Sequence, residues 1–329
     1  MKMTNKQARV SALLLALLVT LTVPAQALFG KKSEEAAAPA EGAPIAKEIS
    51  VRTYRNIPYR AQFLASDDEN GELTFTVDTA PKKGTVTVAG DVFTYTPTEG
   101  KSGKDSFTYV VTDPAGNVSA PATVTVMVEK TKSGVEYQDM EDNSAAAAAQ
   151  YLAETGAFTG ARIGGQYYFE PERTLSRAEF LAMTMELANL PADTVTMTGF
   201  SDDEAIPTWA KSYAAAGLSE GIIRGVSTET GAAFRSNEPV TFNEAAAILD
   251  RVLAVGDVDL ATWYADRDAT PSWAAQAVGN LEAVSVMSVG SFGSGTLAQP
   301  MTRADAAQML CAAGTLLDGE QTGLLDWMR

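Results

Sequence analysis

Between residues 43 and 129 apolar and polar positions alternate with a period of two. Segments 73–77, 84–88, 92–95, 106–111 and 122–128 set Val, Phe and Tyr against Thr, with turn residues between the segments. Short strands at that density, with no helical stretch between them, predict an all-β sandwich over residues 43–130. After a short linker at 131–134 the pattern turns helical.

Three apolar helical runs open on similar words: Ser176-Arg177-Ala178-Glu179, Thr241-Phe242-Asn243-Glu244 and Thr302-Arg303-Ala304-Asp305. Each pairs a hydroxyl with an acid three residues on, a capping box in which both side chains satisfy backbone N–H groups of the first turn. The spacings are 65 and 61 residues, and three aromatic-x-Asp starts, at Tyr137, Phe200 and Tyr264, recur at 63 and 64. The pattern is an internal repeat. It predicts helix–loop–helix units at 135–198, 199–260 and 261–318, followed by a tail at 319–329. Pro207 and Pro271 open the first helix of the second and third units, where a missing N–H costs nothing. Trp209 and Trp273 follow and are expected to pack that helix against the core, an indole edge facing a groove. Asp139, Asp202 and Asp266 are expected to cap it. Gly156 and Gly217 are expected to end it; the third unit has Ser285 there, so its turn must differ.

The residues of both halves carry family resemblances. Ala43-Pro44-Ile45-Ala46, Pro81 with Gly84, Phe93 to Pro97, and Gly103 through Asp105 to Tyr109 resemble one bacterial Ig-like or cadherin-like repeat of surface proteins. Aromatic-x-Asp, Trp-Ala, the Gly pair, Phe, Pro and Thr-Arg-Ala-Glu, in that order and three times over, resemble the S-layer homology domain. That resemblance implies an all-α pseudo-threefold bundle whose grooves hold a secondary cell-wall polysaccharide, often a pyruvylated one. It further implies that Arg177 and Arg303 contact the glycan, since a planar guanidinium suits the carboxylate of an acidic sugar. Taken alone, each would read as an exposed helix Arg beside an acid. On the glycan reading, removing both arginines weakens wall binding and leaves the fold intact. Phe242 stands at the Arg position of the second unit, which is expected to keep its fold and to have lost or changed that contact. Trp209 and Trp273 are further glycan-binding candidates.

Charge and export narrow the setting. Lys2, Lys6 and Arg9 precede an apolar run from Ala12 to Val23, and Ala25-Gln26-Ala27 supplies a cleavage site, so residues 1–27 read as a secretory signal peptide. A retained membrane helix is the alternative, but the run is short and stops at Pro24. Residues 28–42 read as a disordered tether. The net charge of −16 becomes about −19 once those three cations leave, which argues against nucleic acid as a partner. With one cysteine, Cys311, no internal disulfide forms and no cysteine near residue 28 is available for acylation. Cys311 reads as a small buried apolar residue. The tail offers no membrane or sorting anchor, so attachment at the surface is expected to be noncovalent.

Catalytic readings fail on inventory. Gly217-Leu218-Ser219-Glu220-Gly221 matches a nucleophile pattern, but the chain contains no histidine. The Gly293 to Ala298 stretch lacks the βαβ context of a dinucleotide site. Asp202 and Asp203 read as solvated caps before they read as a glycosidase pair. No cofactor is expected. The turn around Asp67 and Asp68, with Asp105 and Asp113, supplies hard oxygens that suit calcium, although a solvated turn is the plainer reading. The function expected is therefore noncatalytic: a secreted wall-attached protein displaying an Ig-like domain. The wall partner is a secondary polysaccharide or, in a double-membraned host, peptidoglycan. The alternative is a structural or adhesive protein acting through self-assembly or surface-protein partners.

Overall fold

The structure, a computed structural model, describes residues 42–68, 71–263, 270–288 and 295–321. The expected signal peptide and nearly all of the tether lie outside these residues, as does the end of the tail. The described residues all belong to one compact unit.

Nine strands build the first half: β1 (Ile45–Ala46), β2 (Ile49–Tyr54), β3 (Tyr59–Gln62), β4 (Ala65–Ser66), β5 (Thr74–Thr79), β6 (Gly84–Ala89), β7 (Val92–Pro97), β8 (Gly103–Thr112) and β9 (Ala122–Glu129). One sheet runs β2-β9-β8-β5 and the other β3-β7-β6, with β1 and β4 paired separately. The β2–β9 pairing is parallel, with Ile49 opposite Val124 and Tyr54 opposite Glu129; the others are antiparallel. Period-two alternation puts Phe107, Tyr109 and Val111 of β8, and Val124, Val126 and Val128 of β9, in the core with Phe93 and Tyr95. Phe63 lies 4.4 Å from the Tyr109 ring, 4.9 Å from Phe93 and 5.3 Å from Phe75, centroid to centroid, so one ring joins the two sheets.

The second half carries α1 (Ala146–Thr155), β10 (Ala161–Ile163), β11 (Gln166–Tyr168), α2 (Arg177–Leu187), α3 (Thr208–Ser219), β12 (Val226–Thr228), β13 (Gly231–Ala233), α4 (Phe242–Leu253), α5 (Leu260–Trp263), α6 (Ser272–Ala283) and α7 (Arg303–Gln321). It is mainly helical but not all-α. The hairpins β10–β11 and β12–β13 fill the loops between the helices of the first two expected units. Gly164 and Gly165, both at positive φ, turn the first hairpin.

The capping boxes form as expected. The Ser176 hydroxyl accepts from Glu179 N–H and Glu179 accepts from Ser176 N–H, and Thr241 with Glu244 and Thr302 with Asp305 do the same. Caps of this kind contribute about 1 kcal/mol each. The residues just before them meet. Leu175 N–H donates to Met301 (3.0 Å), Met301 N–H to Val240 (2.8 Å) and Val240 N–H to Leu175 (2.9 Å), a closed triangle of backbone bonds. The helices interlock around it: α2 packs on α3, α4 on α6, and α7 on α1.

Two helix ends depart from expectation. Gly156 does cap α1 at φ 79°. Gly217, however, lies inside α3, which runs on to Ser219. A Cβ there would sit 3.3 Å from Ile223 and 3.4 Å from Leu181, so this glycine serves close packing instead of a turn. Ser285 takes up the left-handed turn of the third unit at φ 60°.

Candidate functional site

The triangle sets the first residue of each capped helix against its neighbour's loop. Arg177 donates from Nε to the Phe234 carbonyl (3.0 Å) and from Nη1 to Glu244 Oε1 (2.6 Å), its guanidinium 5.7 Å from the Phe234 ring centre. Arg303 donates from Nη1 to the Phe169 carbonyl (2.8 Å) and to Glu170 Oε2 (2.7 Å), and lies 5.1 Å from the Phe158 ring centre. Its Nη2 stands 3.8 Å from Glu179 Oε1, which also takes Arg173 at 2.9 Å. The capping glutamates therefore serve twice. One oxygen holds the N-cap backbone, and the other faces an arginine from the adjacent capped helix.

Neither arginine is the exposed helix residue that each would suggest taken alone: Arg177 is 7% and Arg303 5% exposed. A guanidinium is buried only when its donors find acceptors, and here carbonyls and carboxylates supply them. One donor stays open, because Arg303 Nε is buried without a protein partner. At the third junction, where Thr241 bridges Pro300, Phe242 replaces the arginine and the shorter Asp305 replaces the glutamate. Both halves of the clasp are thus missing from the same place.

The remaining candidates are placed as follows. Trp209 and Trp273 are 51% and 57% exposed, which corrects the expectation that they pack the core; Ala210 and Ala214 of α3, and Ala274 and Val278 of α6, carry the buried faces. Asp139 and Asp202 do not cap the first helices. Asp139 accepts from Phe169 and Glu170 N–H (2.8 and 2.7 Å), and Asp202 from Phe234 and Arg235 N–H (both 2.8 Å). These bonds hold Glu170 and Arg235 at φ 56° and aim the Phe carbonyls at the arginines. Asp266 lies outside the described residues.

The acidic positions named for calcium are not gathered. Asp105 is buried and takes Lys82 N–H (3.0 Å), Lys83 N–H (2.7 Å) and the Tyr95 hydroxyl (2.9 Å). Burial pushes its pKa up, but these bonds outweigh it and hold it below the ordinary value. Asp113 accepts from Asn117 N–H and Nδ2, both at 2.8 Å. Among the described residues no three such side chains, Asp67 and Asp68 included, converge on a metal position. Cys311 is half-buried, and burial raises its pKa to about 12, so it is an inert thiol.

The sequence reading missed Glu170, Arg173 and the second role of Glu179 and Glu244. A residue that satisfies a cap reads as fully explained, so its other oxygen gives no signal along the chain. Among the described residues no helix is long and apolar enough to cross a membrane.

Two family models match the chain: the bacterial Ig domain over residues 41–127 and the S-layer homology domain over residues 199–246. The chain therefore carries a bacterial Ig domain and an S-layer homology domain, and it is a cell-surface, S-layer-associated protein. Among curated relatives, an S-layer protein of Bacillus thuringiensis subsp. finitimus is 30% identical over 136 residues, 41% of this chain and 16% of the relative. The S-layer protein sap of Bacillus anthracis is 29% identical over 136 residues, again 41% of this chain and 16% of the relative. The match thus spans about a sixth of those proteins' length. Solved structures with similar parts include an endo-fucoidan hydrolase of glycoside hydrolase family 107 (21% identity, TM-score 0.24, 29% of this chain and 15% of that one). The SrpA adhesin of Streptococcus sanguinis is another (16% identity, TM-score 0.22, 30% of this chain and 67% of that one). At those scores neither carries an argument.

Proposed function

We propose that the helical region anchors the protein noncovalently to an acidic cell-wall glycan, without catalysis, and holds the Ig domain at the surface. On this reading residues 135–198, 199–260 and 261–318 are three S-layer homology units arranged around the backbone triangle. The observation that carries it is the placing of Arg177 and Arg303 at two equivalent junctions, each against the next unit's Phe carbonyl and a glutamate. A ligand carboxylate would compete with Glu170, whose side chain is 44% exposed, and would find the open Nε of Arg303. The chain's strong negative charge repels a polyanion at long range, so attraction has to be local to these guanidiniums. Phe242 makes the third junction the weakest for such a ligand.

The test uses the whole mature chain, residues 28–329, mixed with isolated cell walls before and after acid extraction of the secondary polymer. Sedimentation with the intact walls and its loss with the extracted ones is the expected result. Equal sedimentation with both would end the glycan reading. The exposed indoles of Trp209 and Trp273 favour a second reading, in which the protein self-assembles or binds other surface proteins. Concentration-dependent assembly in the absence of any glycan would support it.

A further inference from the structure

The three helix seams are not alike. Two of them, α2 on α3 and α4 on α6, join helices close along the chain. The third, α7 on α1, brings together the last described helix and the first, so its closure carries the loop entropy of the whole helical region. The sandwich sits on that third seam. Tyr54, the last residue of β2, is 3% exposed and belongs to the helical core, with Ile57 packed beside it. Arg52 of β2 pairs with Glu129 (3.2 Å) and reaches Asp318 of α7 (3.6 Å), which also accepts from the Tyr151 hydroxyl of α1 (3.3 Å). In α7, a Cβ at Gly314 would lie 2.3 Å from the Tyr151 hydroxyl, so the two helices touch closely here.

The linker is latched to the same place. Glu154 of α1 accepts from Lys132 N–H (2.7 Å), Ser133 N–H (3.0 Å) and the Ser133 hydroxyl (2.7 Å), and Gln150 adds a bond to the same carboxylate (2.7 Å). Residues 131–134 therefore lie fixed along α1.

We infer that the sandwich is the fastener of the seam that closes the helical region, so the two parts fold and bear load as one body. The exposed ion pair of Arg52 contributes little; the buried Tyr54 ring and the Glu154 latch carry the coupling. This inference does not depend on any ligand.

No tryptophan falls within residues 43–130, and Trp209 and Trp273 stand on α3 and α6, so the fluorescence of these two reports the helical region. In thermal melts of the mature chain, Tyr54→Ala and Phe93→Ala, the latter deep in the sandwich core, are expected to lower the tryptophan-detected midpoint by several degrees. A tryptophan melt unchanged in both, while circular dichroism shows the sandwich weakened, would overturn the inference. Glu154→Gln keeps the shape of the latch and supplies a milder variant. Wild-type chain is expected to resist trypsin at Lys130 and Lys132, and the variant to be cut there several-fold faster. Rapid wild-type cleavage into two fragments that each keep the parent melt would equally overturn it.

Discussion

At the scale of single residues, the arginines of the capped helices are the point where chemistry and folding meet. Arg177 and Arg303 are each buried against a carboxylate, so truncating either strands that carboxylate at a junction. For fully enclosed pairs such a loss costs 3–5 kcal/mol. Here Glu244 and Glu170 are 27% and 44% exposed, which points to about 1–3 kcal/mol. Arg303→Ala is therefore expected to lower the melting midpoint measurably in calorimetry, against the sequence-based expectation of a silent fold. The converse change is informative: Phe242→Arg with Asp305→Glu would build the missing third clasp. That double variant is expected to melt higher than either single variant, with a favourable coupling in a double-mutant cycle. Hydrogen bonds from Lys211 and Thr198 lower the Asp203 pKa from an ordinary 3.8 to about 2. A folded-state pKa below the unfolded one stabilises above pH 4, and that stabilisation is lost as pH falls towards 2. Wild type and Asp203→Asn should differ in midpoint at pH 5 and converge by pH 2.

At the scale of elements, what the sequence reveals depends on whether a pattern is periodic. The five strands read from alternating Thr and apolar positions all form, and so do the capped starts of α2, α4 and α7, because both signals are local. The strands β2 and β3 were not singled out: their runs, ISVRTY and YRAQ, mix charge with apolar residues. Arg52 and Tyr54 serve the helical neighbour, which no local pattern encodes. The hairpins were likewise missed, since three-residue strands are too short to show a period. Trp209 and Trp273 show the opposite error. A large apolar residue in a first turn reads as core, yet α3 and α6 bury alanine faces and leave the indoles outside. Acrylamide is expected to quench much of the tryptophan fluorescence of the native protein efficiently. Trp209→Phe with Trp273→Phe is expected to reduce that accessible fraction without shifting the melt.

At the scale of the whole molecule, the helical region is held by interlocked neighbours: each capped helix packs on a helix outside its own helix–loop–helix stretch, α2 on α3, α4 on α6 and α7 on α1. Deleting residues 301–321 removes the partner of α1 and the Met301 corner of the triangle, so far-UV circular dichroism should lose much more helix than the deleted segment contributes. The three capped helix starts were legible because their spacing survives substitution. The site was only half legible, since the clasp joins residues 67 or 133 positions apart that no motif places together.

The triangle of backbone bonds runs in one sense only. Leu175 gives to Met301, Met301 to Val240 and Val240 to Leu175, so every corner spends one N–H and one C=O and none is left over. Such a circuit has a handedness, and each corner is committed to both of its neighbours at once. Taking one corner out of this arrangement would leave a donor and an acceptor without their partners, and a further segment could join only by breaking a bond already made. The centre is thus held by backbone alone, indifferent to the side chains at the rim, where Phe242 and Asp305 stand in place of an arginine and a glutamate.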